Sequence, residues 1–106
     1  MLADMDAQGS NGQVHFDGST VRISRDGFAG SSSHLQPWSF PVSGITEVLW
    51  HEAGKVAPGH ISFVTAGHAA PTGYVSSTKD EQTVLFKGKH AAEFEAIRDA
   101  VQAKIR

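Results

Sequence analysis

The chain has 106 residues, of which 40% are hydrophobic and 19% charged, a composition typical of one soluble globular domain. Its net charge of −2, with acids and bases interspersed, argues against nucleic-acid binding, which normally relies on a clustered basic excess. The absence of cysteine excludes disulfides and thiolate chemistry, and no apolar run approaches the roughly 20 residues that span a bilayer. We therefore expect a cytoplasmic protein.

The chain begins with small and polar residues. We expect residues 1–11 to form a flexible leader and residues 12–106 to form a single domain. The leader contains two aspartates and no basic residue, and no apolar segment follows it. This pattern argues against a secretory signal.

Two strands and a tight turn are predicted next. Val14 and Phe16 alternate with polar residues, as do Val21 and Ile23, and this period of two is typical of half-buried strands. The Asp-Gly pair at residues 17–18 predicts a hairpin turn, because glycine readily adopts the positive φ that such turns need. We interpret this turn as a structural corner and not as a ligand loop.

The rest of the chain predicts more strands and then one helix. Strands are expected at residues 36–40, 46–52, 60–67, 74–78 and 82–88, separated by turns rich in glycine and proline. From about residue 90 to 105, apolar residues recur at spacings of three and four, which predicts an amphipathic helix. The apolar stripe consists of Phe94, Ile97, Val101 and Ile105. It should pack against the inward faces of the strands.

This order of elements resembles the pleckstrin-homology-like (PH-like) fold. The segments VHFDGSTVRISRDGF, FPVSGITEVLWHEAG, GHISFV and TVLFKGKHAAEFEAIRDAV are similar to those of a functionally uncharacterised bacterial and phage PH-like family, often found near short C-terminal (SHOCT) modules. The resemblance implies a mostly β (α+β) barrel or sandwich of about seven antiparallel strands in two near-orthogonal sheets, capped by one C-terminal helix. The resemblance supports this fold but does not indicate a biochemical activity.

Anionic-lipid binding is the first function that the resemblance implies, because PH domains that bind inositol phosphates use basic residues around the first hairpin. Here that region offers only Arg22 and Arg25, and the turn carries the acidic Asp17. Polyphosphate headgroups require several basic donors in one place. Because the basic residues are so few, a peripheral membrane or anionic-lipid module is only the alternative function. We expect both arginines to lie on a solvated strand face.

The sequence offers little catalytic chemistry. Its six histidines lack the i, i+4 helical or i, i+2 strand spacing that forms a metal site, although His51 and His60 flank one hairpin loop and could approach each other. The serines at residues 31–33 lie beside His34 in a loop-like stretch, which does not fix a nucleophile against a base. We expect no enzymatic activity, no metal and no cofactor.

A protein-binding surface is the remaining hypothesis. Trp38, between two prolines on an expected edge strand, is a candidate exposed aromatic, whereas Trp50 is assigned to the core. Apolar residues on both faces of the later strands would place Leu49, Val64 and Leu85 outward, under a cover formed by the helix edge, the leader or a second copy of the chain. The sequence thus predicts a non-enzymatic binding or assembly module that contacts a protein partner or itself.

Overall fold

The computed structural model describes residues 4–25, 37–67 and 82–105. The strands are β1 (Met5–Gln8), β2 (Gln13–Phe16), β3 (Thr20–Ser24), β4 (Trp38–Pro41), β5 (Ile45–His51), β6 (Gly59–Thr65) and β7 (Thr83–Phe86), and the helix is α1 (Ala91–Ile105). Short 3-10 turns lie at Val42–Gly44 and Gly88–His90. The strand predicted at residues 74–78 and the serines at residues 31–33 lie outside the described residues.

The strands form two antiparallel sheets. One sheet has the order β1-β2-β3-β4 and the other the order β5-β6-β7, and α1 follows the last strand. Apolar side chains from both sheets and from α1 belong to one buried cluster. The predicted fold class is confirmed: the chain is a mostly β, α+β sandwich-like fold with one C-terminal helix.

The N-terminal segment differs from its prediction. We predicted a flexible leader over residues 1–11, but Met5–Gln8 forms strand β1 and pairs antiparallel with β2. Ala7 lies opposite Val14 in this ladder and is only 1% exposed. The leader prediction is therefore wrong for these residues, because β1 combines a full hydrogen-bond ladder with one small buried side chain.

The turn between β2 and β3 is the predicted corner. Gly18 has φ 98°, a backbone conformation that residues other than glycine rarely adopt. Oδ1 of Asp17 accepts hydrogen bonds from the amides of Ser19 (2.9 Å) and Thr20 (2.8 Å). These two amides, by stabilising the charged carboxylate, lower the pKa of Asp17 below its ordinary value of 3.8. The acid thus closes the turn, as Asx turns do.

The helix packs as its apolar stripe predicts. Phe94, Ile97 and Val101 are fully buried, and the Phe94 ring stacks on Phe86 of β7 with 4.7 Å between centroids. A 3-10 turn at Gly88–His90 leads directly into α1, and no side chain caps this turn. Tertiary packing of the stripe, more than a local cap, therefore determines where the helix lies.

Candidate functional site

The outward side of β5 and β6 carries apolar side chains that do not belong to the core. We call Glu47, Leu49, His51, His60 and Val64 the outer β5–β6 face. The register places Glu47 opposite Val64, Leu49 opposite Ser62 and His51 opposite His60, on the sheet side opposite to the core residues Val48 and Ile61. Ser62 on this side is only 1% exposed and contacts Thr83 of β7. Leu49 and Val64 are half-buried and are not part of the core cluster. Their predicted outward direction agrees with this placement.

The two histidines of the outer β5–β6 face contact each other. Their rings stack with centroids 5.1 Å apart and planes 10° from parallel. Burial, with a smaller contribution from the neighbouring His51, lowers the pKa of His60 below its ordinary value of 6.5. His60 Nδ1 is buried and forms no hydrogen bond with the described part of the chain. His51 and His60, which the sequence allowed to approach each other, thus lie in contact as stacked rings.

Leu85 requires a correction, because we predicted it as an outward partner-surface residue. It is only 4% exposed, yet it lies apart from the core cluster. The turn after β1 attaches to this edge of the sheet: the Ser10 amide donates to the Leu85 carbonyl (2.7 Å), and the Leu85 amide donates to Asn11 Oδ1 (3.0 Å). These hydrogen bonds attach the N-terminal segment to the backbone of Leu85. Because its side chain is buried, Leu85 is not available to a partner.

Trp38 also differs from its prediction as an exposed aromatic. Its register partner in β3 is the buried Ile23, so the indole points to the inner side of the sheet. The half-buried ring stacks on Phe40 at 5.7 Å and on Phe63 of the other sheet at 6.1 Å. Trp38 therefore helps to close the core between the two sheets, and it is half-buried instead of the exposed aromatic that we predicted.

Trp50 is assigned correctly to the core side. The half-buried indole packs on Phe86 with 5.0 Å between centroids, and the guanidinium of Arg98 lies 4.6 Å above its ring. Its Nε1 donates to the Glu52 carboxylate at 2.6 Å. The residue thus joins β5 to β7 and α1, which leaves the outer β5–β6 face without an aromatic ring other than its histidines.

Arg25 is the clearest misassignment, because we expected it on a solvated strand face. It is only 5% exposed. Its Nη1 donates to the Asn11 carbonyl at 2.9 Å, and its Nη2 donates to the Thr83 carbonyl at 3.1 Å. We call Arg25, Asn11 and Thr83 the Arg25 clamp, which joins the end of β3 to the β1–β2 turn and to β7. Sequence reasoning missed this role.

The two arginines therefore do not form an anion site together. Arg22 is exposed on β3, opposite His15 and Ser39, whereas the donors of Arg25 point inside the molecule. The carboxylate of Asp17 already accepts the turn amides. Of the predicted basic pair, only Arg22 remains available to a ligand.

Potential metal and catalytic groups are sparse in the described ranges. Within residues 4–25, 37–67 and 82–105, no three histidine or acidic side chains are grouped as a metal site. His15 Nδ1 contacts Asp6 Oδ1 at 2.6 Å, but no hydroxyl among the described residues contacts this imidazole. No helix described in the structure has the length and hydropathy needed to cross a membrane.

Comparison with protein families provides an assignment. Residues 14–102 match a family described as a domain of unknown function, DUF4429. The chain belongs to the DUF4429 family. Comparison of this DUF4429 chain with curated proteins and with solved structures found no match. The matched range begins in β2 and ends in α1, so it includes the outer β5–β6 face and omits β1.

Proposed function

We propose that this DUF4429 domain is a PH-like, non-enzymatic binding or assembly module that acts through protein–protein contacts. The order of its elements supports the PH-like assignment, because a four-stranded sheet, a three-stranded sheet and a closing helix follow one another along the chain. The proposed contact surface is the outer β5–β6 face.

One observation carries this proposal. Leu49 and Val64 are diagonal neighbours on adjacent strands, half-buried and separate from the core cluster. Apolar side chains that a domain core does not use gain stability when a partner removes them from water. Glu47 and His51 lie beside them on β5 and would supply the polar rim that protein interfaces usually have.

The membrane-lipid alternative has weaker support at the predicted site. It depended on Arg22 and Arg25 acting together, and the clamp uses the Arg25 donors inside the domain. A single exposed guanidinium matches poorly the several basic donors that polyphosphate headgroups require. Protein contacts therefore remain the better proposal for this DUF4429 domain.

Sedimentation of the wild type and of Leu49→Glu tests the proposal. Leu49 is not part of the core, so its substitution should leave the fold intact and place a charge in the proposed contact. We expect concentration-dependent association that Leu49→Glu abolishes, or a co-purifying partner protein that it loses. The matched control is Ser39→Glu, the same charge at an exposed position of the other sheet. A monomer at every concentration, with no partner that distinguishes the two variants, would contradict the proposal.

A further inference from the structure

Two imidazoles face each other at one end of the outer β5–β6 face. His51 of β5 lies opposite His60 of β6 in the register, and the centroids of their rings are 5.1 Å apart. His51 is exposed and His60 is half-buried, so solvent reaches the two rings from the side of His51. We call these two residues the histidine pair. Because they meet across two strands, the spacing rules for metal ligands within one helix or strand do not detect them.

The separation of the two rings suits a tetrahedral metal ion. Zinc binds imidazole nitrogens at about 2.0–2.1 Å, and each ring centre lies about 1.2 Å beyond its nitrogen, so two imidazole centroids at a tetrahedral angle lie about 5.2 Å apart. The Cβ–Cγ axis of histidine passes close to the ring centre, and χ2, the rotation about this axis, has a broad range. Rotation about χ2 therefore turns the nitrogens towards one ion while the 5.1 Å separation is kept.

One nitrogen of the histidine pair has no hydrogen-bond partner. His60 Nδ1 is buried and forms no hydrogen bond with the described residues. A buried polar atom without a partner destabilises a protein, and a bound ion is one of the explanations for such an atom in a native structure. The unprotonated nitrogen of a neutral imidazole has a lone pair that binds metals. A metal ion at His60 Nδ1 would give this atom the partner that the described residues do not provide.

The histidine pair supplies half of a closed zinc site. Structural zinc sites have four protein ligands, and no third histidine or acidic side chain is grouped with the pair in the ranges that the structure describes. A second copy that meets the outer β5–β6 face about a twofold axis brings the same two imidazoles to the same ion. Leu49 lies two residues before His51 on β5, about 7 Å along the strand. One contact between two copies can therefore bury this apolar side chain and complete the metal site.

We propose that the histidine pairs of two copies of the chain bind one Zn²⁺ ion between them, with four imidazole nitrogens as its ligands. Imidazole is a good ligand for zinc, which accepts a tetrahedral arrangement without an electronic preference of its own. The inference rests on the proposed function, because it names a second copy as the partner of the outer β5–β6 face. It departs from our expectation of no metal, since the register of β5 and β6, and not spacing in the sequence, brings the ligands together.

Zinc titration and sedimentation of the full chain at neutral pH test the shared site. We expect Zn²⁺ to strengthen self-association relative to EDTA and to saturate at one ion per two chains. Mg²⁺, which prefers oxygen ligands, should have no effect. Co²⁺ in place of Zn²⁺ should give the intense visible absorption of a tetrahedral ion, whereas a six-coordinate ion that keeps its water absorbs weakly.

Substitution of each ligand tests the assignment. His51 is exposed, so His51→Gln should keep the fold and the thermal midpoint that the wild type has in EDTA. We expect His51→Gln and His60→Gln each to weaken zinc affinity by more than about tenfold, because even groups that only orient a metal ligand contribute this much. The matched control is His15→Gln, the same substitution in β2 of the other sheet, where the imidazole contacts Asp6. The control should bind zinc as the wild type does, and equal weakening in it would mean general binding by surface histidines and would overturn the proposal.

The remaining outcomes separate this inference from the proposed function. Zinc-dependent association that both His51→Gln and His60→Gln lose supports the shared site. One zinc ion per chain in a monomer, or no zinc binding at all, would overturn it. Association that is the same in zinc and in EDTA, and that only Leu49→Glu abolishes, would overturn the shared site and keep the proposed function. A chain that associates under neither condition and co-purifies with no partner would lose both.

Discussion

Arg25 connects three segments that are far apart in the chain. Its guanidinium donates to the carbonyls of Asn11 and Thr83, and charged hydrogen bonds in a buried setting contribute roughly 1.5–3 kcal/mol each. We expect Arg25→Ala to lower the free energy of unfolding by about 3 kcal/mol, because two backbone acceptors lose their donor. Arg22→Ala, at an exposed position of the preceding strand β3, should change the free energy of unfolding by less than about 0.5 kcal/mol. Urea denaturation of both variants measures the difference, and equal effects would contradict the clamp.

His60 makes stability depend on pH. Its pKa in the folded protein is lowered from the ordinary 6.5, first by burial and then by His51. The unfolded chain therefore binds the proton more readily than the folded protein does. The contribution of His60 to the free energy of unfolding is fully present above about pH 6.5 and is lost as the pH falls below that value towards the folded pKa. We expect His60→Gln to flatten the stability profile between pH 6.5 and the folded pKa, and His51→Gln to remove a smaller share. Denaturant unfolding across this range measures the slope; an unchanged slope in His60→Gln would refute this origin.

Single side chains were the hardest feature to predict from the sequence. Alternation placed Leu49 and Val64 correctly on the outward side, because the period of a strand fixes direction. Alternation did not show that the β1–β2 turn is hydrogen-bonded to Leu85, since that contact joins residues 74 positions apart. The close approach at Gly12, where an added Cβ would lie 2.7 Å from Arg25 Nη1, likewise depends on tertiary packing. The Asn11-Gly12 pair is itself a turn signal, and it could have indicated a strand before it.

At the scale of elements, α1 is held by its buried stripe. Phe94 is fully buried and stacks on Phe86, so Phe94→Ala should lower the free energy of unfolding by about 3–5 kcal/mol. Glu95→Ala changes the neighbouring exposed position and should have almost no effect. Thermal or urea unfolding provides the comparison. If the two variants were equally stable, the helix would not close the core as described.

β1 gives a second test at this scale. Ala7 is buried opposite Val14, whereas the next residue, Gln8, is exposed. Ala7→Lys would place an uncompensated charge in the core and should destabilise the protein by about 3–5 kcal/mol, whereas Gln8→Lys should be nearly neutral. Unfolding curves that failed to separate the two variants would mean that Met5–Gln8 is not a stable strand in solution.

The elements were predicted with uneven success, and the reason is physical. Strands β2, β3, β5 and β6, together with α1, carry apolar residues with a clear period, and β7 is a short continuous apolar run, which is why their existence followed from the sequence. β1 has the sequence Met-Asp-Ala-Gln, and only Ala7 of its residues is buried. An edge strand with one small buried residue has almost no hydrophobic pattern to detect, so hydrogen bonding to β2 determines its structure.

The whole molecule has one core shared by two sheets. Trp38 of the first sheet stacks on Phe63 of the second, the Arg25 clamp bridges β3 to β7, and α1 contributes to the same buried cluster. Because neither sheet retains a complete core without the other, we expect them to unfold in one cooperative transition.

The two tryptophans allow this cooperativity to be measured sheet by sheet. The chain has two tryptophans, Trp38 in β4 of the first sheet and Trp50 in β5 of the second. Trp50→Phe leaves a fluorophore that reports on the first sheet, and Trp38→Phe leaves one that reports on the second. In each variant, the urea midpoint from fluorescence should coincide with the midpoint from far-UV circular dichroism, because loss of either sheet exposes the core of both. A fluorescence midpoint clearly below the circular dichroism midpoint in one variant would mean that its sheet opens first, and that the shared core does not bind the two sheets into a single folding unit.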